Sequence, residues 1–181
     1  NPGFFPAAAS LAAIDLTEKK PEDARKRFEA VLAADPKNIQ AMLALAELKA
    51  AAGGTTDEVA SLISKAITTN PSEVAPRLAL IQFYLNKKDG KKALTAANDA
   101  AAAIPDKPEI LDALGRTQQF SGDFNQAMST YGKLSTLQPN SPLAQMRLAE
   151  INLANKNKDE AAKSLKKALD IQPDLIEAQR G

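Results

Sequence analysis

The sequence predicts an all-α fold, an alpha-alpha solenoid of helix-turn-helix repeats, and three columns of residues predict it. Prolines recur at Pro36, Pro71, Pro105, Pro139 and Pro173, separated by 35, 34, 34 and 34 residues. A leucine column, Leu11, Leu45, Leu80, Leu114 and Leu148, is spaced 34, 35, 34 and 34, and a third column runs Ala24, Val59, Ala93, Ala127 and Ala161. A fixed period of this length is the mark of stacked supersecondary units, each contacting its neighbours. The columns drift together, so one extra residue lies between Leu45 and Val59, and Gly53-Gly54 marks the longer turn. A loop absorbs such an insertion, whereas a helix would rotate its apolar face.

The elements follow in order. A first helix is expected from about Pro6 to Glu18, with Leu11, Ile14 and Leu16 as its larger apolar residues. The second opens at Pro21, where a missing N–H costs nothing, and Glu22 and Asp23 complement the helix dipole. Phe28, Val31 and Leu32 form its apolar stripe at three-and-four spacing. The next unit carries Met42, Leu45, Ala46 and Leu48 and stops at Gly53-Gly54. Thr55 and Glu58 have the spacing of a capping box. A phosphate-binding loop at GGTT lacks the Gly-Lys-Ser/Thr that such a loop requires, so the stretch reads as a turn.

The third unit is expected to start at Ser72 as N-cap, with Pro76 in the first turn, since deeper in a helix proline costs about 3 kcal/mol. Leu78, Leu80, Ile81 and Tyr84 follow, and after Asp89-Gly90 comes an alanine-rich helix expected to be the softest part of the array. Asp106 and Asp123 are the expected N-caps of the fourth unit. The fifth carries Leu148, Ile151 and Leu153 on one helix and Ala161, Leu165, Ala168 and Leu169 on the other. A small position, Ala12, Ala46, Gly115 and Ala149, lets paired helices come close.

Composition narrows the chemistry. Lys plus Arg number 23 against 22 Asp plus Glu, and the chain has no His, Cys or Trp. That balance gives no nucleic-acid footprint, and the missing residue types remove thiolate and imidazole catalysis and zinc sites built on Cys or His. The basic clusters Lys19-Lys20 with Arg25 to Arg27, Lys87-Lys88 with Lys91-Lys92, and Lys163 with Lys166-Lys167 read as a solvated outer face, because acidic residues are interspersed and no aromatic residues interleave to stack bases. No stretch approaches the roughly 20 apolar residues of a membrane-spanning helix. No metal, cofactor or catalytic constellation is expected, and the chain reads as non-enzymatic. It starts at Asn1 and stops at Gly181, and both ends read as cut from a longer protein.

The stretch Pro108 to Pro139 is similar to the tetratricopeptide repeat (TPR) pattern, supplying Leu111, Leu114, Gly115, Gln118, Ala127, Tyr131 and Pro139 at its positions. The resemblance implies a right-handed TPR superhelix in one array over residues 1–181. Its repeats would run at about 5–38, 39–73, 74–107, 108–141 and 142–175, with 176–181 as a truncated sixth. It further implies that the first helices line a concave groove, whose central residues would be Leu43, Glu47, Leu78, Gln82, Asp112, Arg116, Met146 and Glu150. Two readings stay open there: Leu43, Leu78 and Met146 pack between helices, or they face a ligand. TPRs that clamp a C-terminal carboxylate need Lys, Asn and Arg at these sites, and here only Arg116 and nearby Arg147 are basic.

Particular segments, PEDARKRFEAVLAADPKN, VAPRLALIQFYL, PEILDALGRTQ, SPLAQMRLAE and PDLIEAQRG, resemble the TPR-repeat lipoprotein family found with bacterial PEP-CTERM/exosortase and exopolysaccharide systems. This resemblance implies an internal piece of a lipid-anchored protein of the periplasm or outer envelope, with signal and anchor outside the piece and no membrane contact by the piece itself. The expected role is a scaffold that binds a protein or peptide in its groove. A polysaccharide ligand is one alternative, disfavoured by a groove poor in aromatic residues. The substrate-recognition arm of a larger enzyme is another.

Overall fold

The computed structural model describes residues 4–174, which form ten α-helices with no strand among the described residues. The expected truncated sixth unit, 176–181, lies outside that range. The chain divides into two compact units, Asn1–Lys87 and Lys88–Gly181.

The first unit holds α1 (Phe5–Thr17), α2 (Pro21–Ala34), α3 (Ile39–Ala51), α4 (Thr56–Thr69) and α5 (Val74–Asn86). Each helix packs against the next in sequence. Ala8, Ala12, Ala24, Phe28 and Val31 bury one cluster, in which the Phe5 ring stacks on Phe28 at 5.8 Å between centroids. Ala46, Val59 and Ile63 form a second, with Leu80 and Phe83 against it. Arg27 of α2 reaches Asp15 of α1 with both its Nε and its Nη2. That hydrogen bond, more than burial, which opposes it, holds the Asp15 carboxyl below its ordinary pKa.

The second unit holds α6 (Gly90–Ala103), α7 (Pro108–Phe120), α8 (Phe124–Leu137), α9 (Leu143–Ala154) and α10 (Lys158–Ile171). Its central cluster is Leu111, Ala127, Tyr131, Leu134, Ala144 and Ile151. On α6 the fully buried residues are all alanines, Ala93, Ala97 and Ala100.

The turns are shaped by their residues. Among the turns within helix pairs the α3–α4 turn is longer than the others by one residue, with Gly53 in the left-handed region at φ 79°, so the insertion lies in the loop. At the equivalent place in the other helix pairs stand Lys19, Lys88, Gly122 and Lys156, all with positive φ. The helix ends close in the same way: the Asp123 N–H donates to the Gln118 carbonyl at 2.8 Å, and that of Asn157 to Asn152 at 2.7 Å. Thr55 and Glu58 form the expected capping box on α4. Pro21 opens α2, and Pro76 sits in the first turn of α5.

Several expectations are corrected. Leu11, Ile14 and Leu16, the larger apolar residues of α1, are 45%, 53% and 45% exposed. Leu153 is likewise exposed at 48%. The N-cap of α5 is Glu73 rather than Ser72, and that of α7 is Lys107 rather than Asp106. Asp106 instead takes φ 62°, and its carboxylate pairs with Lys133 at 2.6 Å. Asp123 does precede α8, without a side-chain cap. Within the basic clusters Arg27 is partly buried by its pairing with Asp15 rather than free in solvent.

Candidate functional site

The expected groove residues fall into two groups, one in each unit. In the first unit, α3, α4 and α5 enclose a cavity of about 310 Å3. Leu43 and Glu47 from α3, Ile63 from α4, and Gln82, Phe83 and Asn86 from α5 are among its walls. Leu43 and Glu47 stand one turn apart on α3, so they share a face. Gln82 donates from Nε2 to the Asn86 Oδ1 at 2.8 Å, which leaves a hydrogen-bonded amide pair at the rim. Leu78 is half-buried and is not part of this wall. Phe83 lies between the Tyr84 ring, 5.6 Å away, and the Lys87 ammonium, 5.8 Å from its centroid.

In the second unit an ion-pair ladder links α7 to α9. Arg147 donates to Asp112 at 2.9 Å and to Glu150 at 3.2 Å. Burial opposes the charge on Arg147, but the bond to Asp112 and the attraction of Glu150 outweigh it, and its pKa rises. Arg116 is exposed one turn along α7 from Asp112, and Met146 is half-buried beside Arg147 in sequence. Beneath them the Tyr131 hydroxyl is buried with no hydrogen-bond partner. Burial first, then the Asp112 carboxylate, pushes its pKa up. Gly115 makes room for that ring: a Cβ there would lie 2.5 Å from two of its atoms.

The structure therefore brings Leu43, Glu47 and Gln82 together, and joins Asp112 to Glu150 through Arg147. Sequence reasoning underweighted three residues. Arg147 entered only as a neighbouring base, Phe83 as nothing at all, and Phe120, 52% exposed, likewise. For Phe120 a signal existed, since it follows Arg116 by four residues and so lies on the same helical face. The aromatic scarcity weighed against a polysaccharide is also milder than expected, because Phe83 lines the cavity.

A second feature was legible only in three dimensions. Gln118 stands where the pattern favours an aromatic residue, yet it is only 5% exposed. Its Oε1 accepts from the Thr130 hydroxyl at 2.8 Å, tying α7 to α8. Asp15 and Arg27 occupy the same register in the first pair, again twelve residues apart. A polar staple replaces aromatic packing at both places.

Among the described residues no group of three or more His, Cys, Asp or Glu is arranged to hold a metal ion, and no helix is long and apolar enough to cross a membrane.

Comparison with known proteins follows the same lines. A family model described as tetratricopeptide repeat matches residues 15–53 and 121–180, together more than half of the chain. No curated protein matches the sequence. Among solved structures, MamA from Desulfovibrio magneticus RS-1 is similar over 94% of this chain and 96% of its own, with a TM-score of 0.67 at 15% identity. TTC0263, a thermophilic TPR protein of Thermus thermophilus, aligns over 97% of this chain and 95% of its own at TM-score 0.66 and 19% identity. YrrB, described as a TPR protein with an unusual peptide-binding site, aligns over 96% of this chain and 89% of its own at TM-score 0.65 and 18% identity. At such identities these likenesses speak to the fold alone, an all-α helical repeat. With the family model covering more than half of its length, the chain belongs to the tetratricopeptide repeat family.

Proposed function

We propose that the chain is a non-catalytic protein-interaction scaffold whose first helices hold a partner segment, in the first unit over the cavity between α3, α4 and α5. The observation that carries this reading is the make-up of that cavity: an apolar floor of Leu43, Ile63 and Phe83 under a rim of Glu47, Gln82 and Asn86. Its volume of about 310 Å3, at the lower end of the range of ligand sites, has room for one or two side chains of a bound peptide. Affinity comes from burying an apolar anchor, and orientation from the polar rim. The peptide-binding site named for YrrB supports the ligand class.

A bacterial envelope setting, in a PEP-CTERM/exosortase or exopolysaccharide system, rests on the family resemblance of the segments quoted above. Fractionation of the source cells tests it, and recovery in the cytosol alone overturns it.

The binding reading is tested by selecting a random-peptide display library on the purified chain and measuring the enriched peptides by fluorescence anisotropy. Glu47→Lys, at an exposed rim position, and Leu43→Asp are the controls. Enriched peptides are expected to lose about tenfold or more in affinity with either variant. Equal affinity for wild type and both variants overturns groove binding.

A further inference from the structure

A larger cavity, of about 680 Å3, opens between the second helices α2 and α4 over the C-terminal half of α3. It shares no lining residue with the first-helix cavity. Leu45, Leu48 and Leu62 form an apolar floor and are only half-buried. The volume lies within the roughly 300–1,000 Å3 of ligand sites.

The chain's own repeats show what such a cleft accommodates. In register, Pro21 and Arg25 of α2 stand where α8 has Phe124 and Met128, and Leu48 stands where α9 has Ile151. Phe124 and Met128 pack against the cluster containing Ile151, which is wholly buried. In the first unit a short proline ring and an arginine take their places. The Arg25 guanidinium is held by Glu22 at 2.7 Å and Glu29 at 2.5 Å, on the exposed side of α2. The leucines of the floor are left without that cover.

The rim is acidic by one charge: Glu22 and Glu29 share Arg25, and Glu58 pairs with Lys49 at 2.9 Å, so three carboxylates are set against two bases. Hydrogen bonds from Lys49 and from Thr55 hold the Glu58 carboxyl at a pKa of about 2, so it stays charged at neutral pH. Carboxylates around an apolar floor attract a cationic partner and repel an acidic one.

We infer that the cleft between α2 and α4 docks a basic helical segment of a partner protein, which inserts an aromatic and a Met-sized side chain one turn apart and sets Lys or Arg against Glu22, Glu29 and Glu58. The occupant reproduces from outside what Phe124 and Met128 supply from within in the second unit.

The probe is a fluorescein-labelled, lysine-rich helical peptide with Phe and Met one turn apart, and its control has both replaced by Ala. The double variant Pro21→Phe/Arg25→Met transfers the plug of α8 into α2, and Ser61→Trp, from an exposed position on α4, obstructs the mouth without touching the core. Wild type is expected to bind the probe about tenfold or more tighter than the control, with affinity falling as salt rises. Whichever of the two blocking variants retains the wild-type circular dichroism is expected to lose that preference, while the groove variant Glu47→Lys binds as wild type does. Equal binding of probe and control by wild type, or undiminished binding by a folded blocking variant, overturns the inference. Loss of binding with Glu47→Lys also overturns it and assigns the peptide to the first-helix groove instead.

Discussion

Gly115 and Tyr131 share one small volume at the junction of α7 and α8. Tyr131 is fully buried, so its ring has nowhere to retreat from a Cβ placed 2.5 Å away. Gly115→Ala is expected to destabilise the chain by about 1–3 kcal/mol, the usual cost of overpacking. In a double-mutant cycle with Tyr131→Leu most of that loss should return. The hydroxyl of Tyr131 tells the opposite story, because it is buried with no partner and contributes a desolvation cost of about 1–3 kcal/mol. Tyr131→Phe should therefore leave stability in urea unchanged or raise it, and a clear loss would show that the hydroxyl is bonded. The aromatic ring at this position was legible from the repeat pattern. Its unsatisfied oxygen was not, since the sequence carries no trace of which neighbours approach it.

At the scale of single elements, the start of α4 is the best-specified terminus. Thr55 accepts from the Glu58 N–H at 3.3 Å, and Glu58 accepts from the Thr55 N–H at 2.8 Å and from Lys49 at 2.9 Å. These bonds lower the Glu58 pKa from 4.5 to about 2. A carboxyl depressed in the folded state stabilises above its unfolded pKa, and that contribution is lost as pH falls through the folded one. Glu58→Gln should then be less stable than wild type at neutral pH, with the two converging between about pH 4.5 and pH 2 in thermal melts. A constant difference across that window would remove Glu58 as its cause. The capping box was readable because four neighbouring residues encode it. The N-caps expected at Ser72 and Asp106 failed because a loop's course, which depends on tertiary packing, decides which residue stands at the helix start. A different element-level expectation concerns α6, whose fully buried residues are alanines. Each brings little apolar area, so amide exchange in α6 should be faster than in α7 or α8.

At the scale of the whole molecule, each unit is built from helices that pack against sequence neighbours, which is why a short-range pattern reveals so much. Stability in such a chain is nearly a sum over adjacent pairs. Leu114→Ala, at a side chain only 8% exposed, is expected to cost about 2–5 kcal/mol. Hydrogen exchange should show the loss in α7 and α8 and leave α1 and α2 close to wild type. Uniform loss across all the described helices would mean that cooperativity extends along the chain.

The sequence by itself determined the helix pairs, the period, the place of the inserted residue and most of the buried columns, because these depend on spacing along one stretch of backbone. Only the tertiary structure decided which members of a column are covered. Leu11 and Leu114 hold the same register, yet one is exposed and the other buried, since burial belongs to the neighbour and not to the residue. The candidate sites follow the same division. Leu43, Glu47 and Gln82 were expected together because the resemblance to the TPR pattern implies that first helices line one groove, but the partnership of Asp112 with Arg147, and the cleft left open by Pro21 and Arg25, arise between helices.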